Sequence, residues 1–443
     1  MNLYPTAARS KIRRLAAGRL ISVTGGAAAY TALNYTVWNT THSPGMQALS
    51  LLMTFGVAGL IGPFGGALGD RFDRRKVMII AEAVSTVFFA AMAFAHTPMM
   101  LILLAFGSAL ADVPFFTASR AAIPNLVDSA DDISWANSLV TMGVHAGIAV
   151  GPLIGGVLVA TIGASWVFGL NALSFLVSVG LTLTVRGAYQ EARHEHHDED
   201  KGLASGIALL WRDRVMRRMT IAWFVFVLGM GMGMVADAAL AEHFGTGAVG
   251  FAALIACWGS GSVIGSGLGR YLKPATEPLW IVVGSFGIAA AAFGVGFAPV
   301  FVLVLISLFA MGAADGLTMV AETGIMQRRT PDVLRSRTMA AFEAVVSLGL
   351  AAAYLMAGPV LKVLGPQATY RLGGLSALAA ALVLLPLLAL RRDEGPGGGA
   401  SALDGATPAP EAEPVGEVVT GSPRYTSAEA LETESVEAER RTA

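Results

Sequence analysis

Long apolar runs separated by short polar turns are the dominant pattern of this chain. A helix needs about 20 apolar residues to cross the hydrocarbon core of a bilayer. Twelve runs approach that length. They are continuous rather than alternating, which predicts helices and not the strands of a barrel. The runs cover residues 18–40, 46–69, 77–95, 99–119, 136–160, 164–185, 217–240, 247–269, 279–297, 299–322, 339–361 and 370–390.

Polar segments divide these runs into two groups of six. The longest, residues 186–216, contains an amphipathic piece, Leu203 to Arg214, which ends in LLWRDR and which we expect to lie along the membrane interface. The predicted organisation is a first bundle over 18–185, a linker over 186–216 and a second bundle over 217–390. Residues 1–17 form a cytoplasmic N-terminal segment. The acidic, glycine-rich tail, 391–443, has a composition typical of disorder.

The two groups of runs are similar to each other in sequence. GGALGD at 65–70 matches GSGLGR at 265–270, and AFGSALADV at 105–113 matches LFAMGAADG at 308–316. Parallel repeats of six helices permit one bundle to rock against the other around a central site.

The basic residues predict an orientation. With the N-terminus inside, all but two of the 30 lysines and arginines lie on the inner side, and the exceptions are Lys362 and Arg371. The positive-inside rule therefore predicts cytoplasmic termini. We expect a multi-pass protein of the bacterial inner membrane. The start of the chain has some features of a signal peptide, with Ala27 to Ala29 as a cleavage site, but its apolar run is long enough to span.

Composition limits the classes of function. The chain is 54% hydrophobic and only 14% charged, which is typical of a multi-pass membrane protein. A net charge of −1 gives no basis for a nucleic-acid partner, and the single cysteine, Cys257, excludes an internal disulfide. We expect HEHHDED, 194–200, to be a solvated linker rather than a metal site.

Nucleotide-binding motifs are missing from the sequence. No Walker-type loop is present, and the glycines of 259–269 do not follow a strand, so a dinucleotide site is not predicted. We therefore expect no cofactor, metal, catalytic residue or enzymatic activity. The expected partners are a small-molecule substrate, protons and the lipid bilayer, with a monomer as the working unit. Energy would come from an ion gradient.

The loop after the second run reads GPFGGALGDRFDRRKV, 62–77. Its glycines allow another helix to come close. An aspartate at the membrane edge favours a facing helix N-terminus, and arginines bind headgroups or carboxylates. The predicted gating residues are Gly66, Asp70, Arg71, Arg74 and Arg75. A positive-inside anchor without a gating role is the alternative.

The fifth run carries glycines at four-residue spacing. They form a groove down one helix face, while a proline loosens the helix by removing a backbone hydrogen bond. The motif comprises Gly147, Gly151, Pro152, Gly155 and Gly156, preceded by Gly143. Tight packing alone is the alternative interpretation.

Both motifs resemble those of the major facilitator superfamily. The loop is similar to the one between its second and third helices, and the fifth-run motif is similar to its antiporter motif, which is typical of exporters. THSPG (41–45), FFTASRAAIPNLV (115–127), WANSLV (135–140) and TPDVLRSR (330–337) look like the macrolide-efflux type of drug:proton antiporter. The chain departs from the family at Asp73, where glycine is common, and at Gly25 and Gly26, where members often carry an acidic residue.

Asp112 and Asp315 are the predicted proton-coupling residues. They occupy matching places in the repeat, in the fourth and tenth runs, and the resemblance implies that these runs line the cavity. An ionised carboxylate in mid-membrane costs ~2.5–3.5 kcal/mol on insertion scales, so each should face water, a partner or a proton. A structural hydrogen-bonding role is the alternative, as is a static pair of Asp112 with Arg120.

Several other side chains are weaker candidates. The acidic and histidine candidates are Asp237, Glu322, Glu343 and His145. Glu322 and Glu343 lie within reach of Arg328, Arg335 and Arg337, so latch-type salt bridges are the favoured explanation for them. We expect His145 to be a packing histidine. Substrate-cavity candidates, which could equally face lipid, are Asn34, Trp38, Trp223, Phe226 and Met230.

The sequence thus predicts an all-α membrane protein of the major facilitator fold. The expected function is proton-coupled export of a small, amphipathic molecule, a drug or natural product, by alternating access. Such a protein would confer multidrug resistance. A proton-coupled importer on the same fold and a non-transporting membrane protein, such as a lipid scramblase or sensor, stay open as alternatives.

Overall fold

A computed structural model describes residues 7–57, 61, 72–127, 130–185, 189, 203–331 and 334–390. Within these ranges the chain forms helices joined by turns, and no strand is found there. Nine of the described helices are long and apolar enough to cross a membrane. The protein is therefore a multi-pass membrane protein built from helices, as the hydrophobic pattern predicted.

The helices follow the order of the predicted runs. They are α1 (Ala7–Thr41), α2 (Pro44–Leu51), α3 (Arg74–Met92), α4 (Pro98–Leu126), α5 (Ala130–Ile162), α6 (Ala164–Thr184), α7 (Arg214–His243), α8 (Gly247–Leu268), α9 (Glu277–Phe297), α10 (Phe301–Arg329), α11 (Arg335–Leu364) and α12 (Pro366–Leu384). A π-helical turn, Leu52–Gly56, continues α2, and a linker helix, Leu203–Arg212, precedes α7. Short helical turns at Gly269–Tyr271, Pro274–Thr276 and Leu387–Leu390 complete the described elements.

Most helices are longer than the predicted apolar runs. The N-terminal segment 1–17 was expected to precede the first helix, but α1 already begins at Ala7. The fourth run, 99–119, lies within the longer α4. Hydropathy detects only the part of a helix that suits lipid, so the polar extensions escape it. The tail 391–443 and Gly66, Asp70 and Arg71 of the gating loop lie outside the described residues.

Polar side chains define where several helices begin. Thr97 caps α4 by accepting a hydrogen bond from the Met100 amide at 3.2 Å, and Asp73 caps α3 in the same way through Lys76 at 2.9 Å. N-cap oxygens satisfy amides that have no partner within the helix. Asp73 therefore starts α3.

Two equivalent turns require glycine. Gly163 between α5 and α6 has φ of 89°, and Gly365 between α11 and α12 has φ of 78°. Side chains other than glycine rarely adopt this region. The two glycines allow each helix pair to turn back within one residue, and they mark corresponding places in the repeat.

Helix packing repeats between α1–α6, called the first group below, and α7–α12, the second group. In the first group α1 packs against α5 and α6, while α3 packs against α4 and α6. In the second group α7 packs in the same way against α11 and α12, and α9 against α10 and α12. Across the groups, α5 contacts α8 and α2 contacts α11. These two contacts also correspond to each other, so the internal repeat seen in sequence is present in the packing.

The linker helix packs onto the second group. Leu210 is fully buried, whereas Trp211 remains 48% exposed. A Cβ at Gly206 would lie 2.3 Å from the Arg337 carbonyl oxygen, so glycine permits the close approach to α11. Asp213 then pairs with Arg329 at the end of α10, at 3.0 Å. The linker helix is thus amphipathic, with one face on protein and Trp211 facing outward.

Candidate functional site

A carboxyl pair lies inside the first group, between α3 and α4. Asp112 of α4 accepts a hydrogen bond from the Ser85 hydroxyl of α3 at 3.0 Å. Glu82, one turn before Ser85, is 1% exposed and accepts a hydrogen bond from Ser178 of α6 at 2.5 Å. The side chain of Arg120 lies outside the described part of the chain, so the predicted Asp112–Arg120 pair stays a prediction.

Among the described side chains, Arg19 of α1 is the cation that interacts with this pair. Its guanidinium carbon lies 4.7 Å from the centre of the Phe115 ring and 4.9 Å from that of Phe116, both on α4. It interacts electrostatically with both Glu82 and Asp112. Four helices therefore bring one guanidinium and two carboxyl groups together inside the first group.

A second carboxyl cluster lies inside the second group. Glu322 of α10 is 4% exposed, and it interacts with the Trp223 indole and with the carboxyl groups of Asp315 and Glu343. Trp223 and Phe226 stack edge to face with ring centres 5.0 Å apart. With Glu322 they line one small pocket between α7, α9, α10 and α12. Asp112 and Asp315 thus belong to separate clusters, one in each group of helices.

The arginine expected to latch Glu322 is used elsewhere. Arg328 pairs with Glu277 at the start of α9, and Glu277 is buried. The interpretation of Glu322 as a partner of Arg328 is therefore wrong. The reason is directional: Glu322 points into the bundle toward Trp223, whereas Arg328, almost two turns on, reaches the end of the neighbouring helix. Glu343, on α11, is exposed.

Asp237 of α7 sits among tyrosines. The Tyr370 hydroxyl of α12 donates a hydrogen bond to it. Tyr354 of α11 and Tyr30 of α1 also interact with Asp237 electrostatically. Because Tyr30 belongs to the first group, this cluster connects the two groups of helices.

The two groups also meet where α1 turns into α2 and α7 into α8, at what we call the distal end. Glu242 of α7 accepts a hydrogen bond from the Trp38 indole at 2.5 Å and faces His42 Nε2 at 3.2 Å. A Cβ at Gly358 of α11 would lie 3.2 Å from the Gly45 Cα of α2. Trp38 was a cavity candidate, but the structure gives it this contact between the groups.

The glycines of α5 make two different contacts. A Cβ at Gly155 would lie 2.5 Å from the Ala28 carbonyl oxygen of α1, and Gly147 and Gly151 approach the same helix. A Cβ at Gly156 would instead lie 2.3 Å from the Ala252 Cβ of α8. One motif therefore fixes α5 within the first group and also brings it against the second.

The described end of the predicted gating loop binds the end of α6. Arg75 donates a hydrogen bond to the Leu183 carbonyl at 2.7 Å, and its guanidinium lies 5.9 Å above the ring of Tyr189. Burial raises the pKa of the Tyr189 phenol, so the ring under the cation stays neutral. The neighbouring Arg74 is half-buried at the start of α3.

The remaining candidates have different surroundings. Asn34 is buried and accepts hydrogen bonds from Gln47 at 3.2 Å and Ser50 at 3.3 Å, so it joins α1 to α2 instead of lining a cavity. Met230 packs against α12 near Gly373. His145 is exposed on α5, and its interpretation as a packing histidine is therefore wrong. Within the described residues, no three His, Cys, Asp or Glu side chains group as metal ligands do.

Sequence reasoning missed Arg19, Glu82, His42 and Glu242. Arg19 was counted only as a basic residue at the start of the first run. Glu82 lies inside an apolar run, 77–95, and a carboxylate within a membrane segment is itself a signal of function. The contact of Glu242 with Trp38 could not be read from one sequence, because the two residues lie far apart in the chain.

Known proteins resemble the chain over most of its length. The family model described as Major Facilitator Superfamily matches residues 15–293. The enterobactin exporter EntS of Citrobacter koseri is 25% identical over 408 residues, covering 89% of this chain and 96% of the relative. EntS of Shigella boydii serotype 18 is 26% identical over 404 residues, covering 88% and 95%.

Solved structures show the same fold. A bacterial homologue of the human lysosomal transporter Spinster, in an inward-facing and unoccupied conformation, matches with a TM-score of 0.62 at 16% identity, covering 88% of this chain and 97% of that one. A POT family transporter bound to a thioalcohol-conjugated peptide matches with a TM-score of 0.70 at 11% identity, covering 86% and 96%. At these identities the likeness concerns the fold alone.

Proposed function

Because the chain belongs to the major facilitator superfamily, we propose that this membrane transporter exports a small amphipathic molecule in exchange for protons. The observation that carries the proposal is the pair of carboxyl clusters, around Asp112 in the first group and around Asp315 in the second. Ionised carboxylates are costly inside a bilayer, so proton binding offers each cluster a neutral state. A proton gradient can then drive the switch between conformations.

Export is favoured over import by two observations. The glycines of α5 make the close contacts expected of the antiporter motif, and the relatives named above are exporters. Enterobactin, the cargo named for those relatives, is the first compound to test. The drug:proton antiporter branch of the macrolide-efflux type is our proposal for the place of this chain within the superfamily.

The cycle we propose alternates access between the two groups of helices. The substrate enters from the cytoplasm or inner leaflet while Trp38, His42 and Glu242 close the distal end, and it leaves when that end opens. Proton entry from outside resets the carrier. The proposal includes twelve spans, cytoplasmic termini, the bacterial inner membrane, a monomer as the working unit and no cofactor.

Asp315→Asn tests the proton-coupling role directly. The amide keeps the shape of the side chain but cannot exchange a proton, so we expect loss of pH-gradient-driven substrate movement in proteoliposomes while substrate still binds. Thr323→Ala, at an exposed position about two turns further along the same helix, α10, serves as the control and keeps transport. Asp112→Asn repeats the test in the first group.

The outcomes separate the alternatives. Full gradient-driven transport by both aspartate variants would overturn the proposed role of this pair. Substrate accumulation inside cells would indicate an importer. Lipid exchange between leaflets without any solute flux would indicate a scramblase.

A further inference from the structure

Among the side chains that the structure describes, the interior of the first group brings two carboxyl groups, Glu82 and Asp112, beside one arginine, Arg19. Glu82 uses one carboxylate oxygen to accept the hydrogen bond of Ser178, while its other oxygen, Oε2, is buried without a hydrogen-bond partner. A buried carboxylate oxygen without a donor is costly. It is therefore a place where a proton would be stabilising.

Asp112 belongs to the same site. Ser85, which donates to Asp112, follows Glu82 by three residues and so lies on the same face of α3. Glu82 and Asp112 interact electrostatically as like charges. In a desolvated site, two carboxyl groups that repel each other do not both ionise easily.

One cation serves both carboxyl groups. Arg19 interacts with Glu82 and with Asp112, and these three are the charged groups that the described contacts of α1, α3, α4 and α6 bring together here. One guanidinium balances one carboxylate. The second carboxyl group is neutral only when it holds a proton, and a buried uncompensated charge is strongly unfavourable.

We propose that Glu82 and Asp112 share one exchangeable proton, with Arg19 as their common counter-ion. This inference rests on the proposed proton coupling and gives it a second carboxyl group, Glu82, that the repeat does not duplicate. The 203-residue offset that relates Asp112 to Asp315 makes Ser285 the residue equivalent to Glu82 in the second half of the repeat. The proton site of the first group is therefore built differently from its counterpart.

Infrared spectroscopy of the purified full-length protein tests the proton count. The carbonyl stretch of protonated carboxyl groups is followed while the pH is varied, and each variant is compared with the wild type. We expect Glu82→Gln and Asp112→Asn each to remove one titrating carboxyl group and to leave the other permanently ionised beside Arg19. Arg19→Gln should add a second protonated carboxyl group, and Arg19→Lys should restore the wild-type count.

Two serine variants perturb the site less, and they test the inference if Glu82→Gln does not fold. Ser178→Ala and Ser85→Ala remove one hydrogen bond from each carboxyl group, and each should shift the pH midpoint of the same band. Ser285→Ala, at the equivalent place in α9, should leave that band unchanged. If the titration of the carboxyl band is unchanged in Glu82→Gln, or is unchanged in both serine variants, the site is a fixed structural ion pair and the inference is overturned.

A transport measurement separates this inference from the proposed function. If the shared proton titrates but no gradient drives any solute, the proposed coupling fails and the proton site stands. If transport is gradient-driven and Glu82→Gln keeps both the coupling and the titration, the proton site fails and the coupling stands.

Discussion

The main effect of single residues in this protein is to determine how closely neighbouring helices approach each other. Gly155 is the clearest case, because the Ala28 backbone lies where its Cβ would be. The carboxyl groups depend on such packing. Glu82 and Asp112 share an environment only because α3, α4 and α6 pack tightly enough for serine hydroxyls to reach them.

Gly155→Val should weaken the packing of α5 on α1. Overpacking of a close contact costs about 1–3 kcal/mol, so we expect a lower melting temperature in detergent. Gly169→Val is the matched control, since no atom lies within 4 Å of a Cβ at that position of α6. Equal melting temperatures for the two variants would contradict this explanation of the glycine motif.

At the scale of elements, the hydrophobic pattern predicted the helices well and their ends poorly. The predicted run 217–240 became α7, Arg214–His243. The difference has a physical cause: Asp213 caps the helix by accepting hydrogen bonds from the Val215 and Met216 amides, and a capped helix begins before the apolar residues do.

The distal contact between α1 and α7 depends on one side chain. Glu242→Ala removes the acceptor of both Trp38 and His42, so we expect the distal end to open more often. Opening can be measured as the rate at which cysteines introduced by Gly45→Cys and Gly358→Cys cross-link. Cys257→Ser first removes the cysteine that the chain already carries. Because a Cβ at Gly358 would lie 3.2 Å from the Gly45 Cα, thiols at the two positions come near each other when the distal end is closed.

A several-fold slower cross-linking rate is expected for Glu242→Ala. Trp38, His42, Glu242 and Lys362 all line one groove at the distal end, so Lys362→Ala is the control and should keep the parent rate. An unchanged rate in Glu242→Ala would mean that the glycine contacts alone hold the distal end closed.

For the whole molecule, the internal repeat was visible in sequence, and its packing order is confirmed by the structure. GGALGD and GSGLGR marked the repeat, and α5–α8 and α2–α11 are its matching contacts between the groups. The proposed proton site could not be predicted in the same way. Its members Arg19, Glu82 and Asp112 come from three helices, and a single sequence does not show which faces of those helices meet.

A cross-linked distal end should stop transport. If substrate leaves through this end, the disulfide between Gly45→Cys and Gly358→Cys will abolish export, and a reducing agent will restore it. Each single-cysteine variant, treated with the same oxidant, controls for damage by oxidation and should keep its activity. Full export by the cross-linked protein would place the exit path elsewhere.

The distal closure has one more property, which comes from the placement of the two partners of Glu242. Trp38 and His42 both belong to α1, whereas the carboxylate that they share belongs to α7. Two side chains of one helix therefore depend on one side chain of another. The two contacts would form and break together, so the exit would open in a single step rather than gradually.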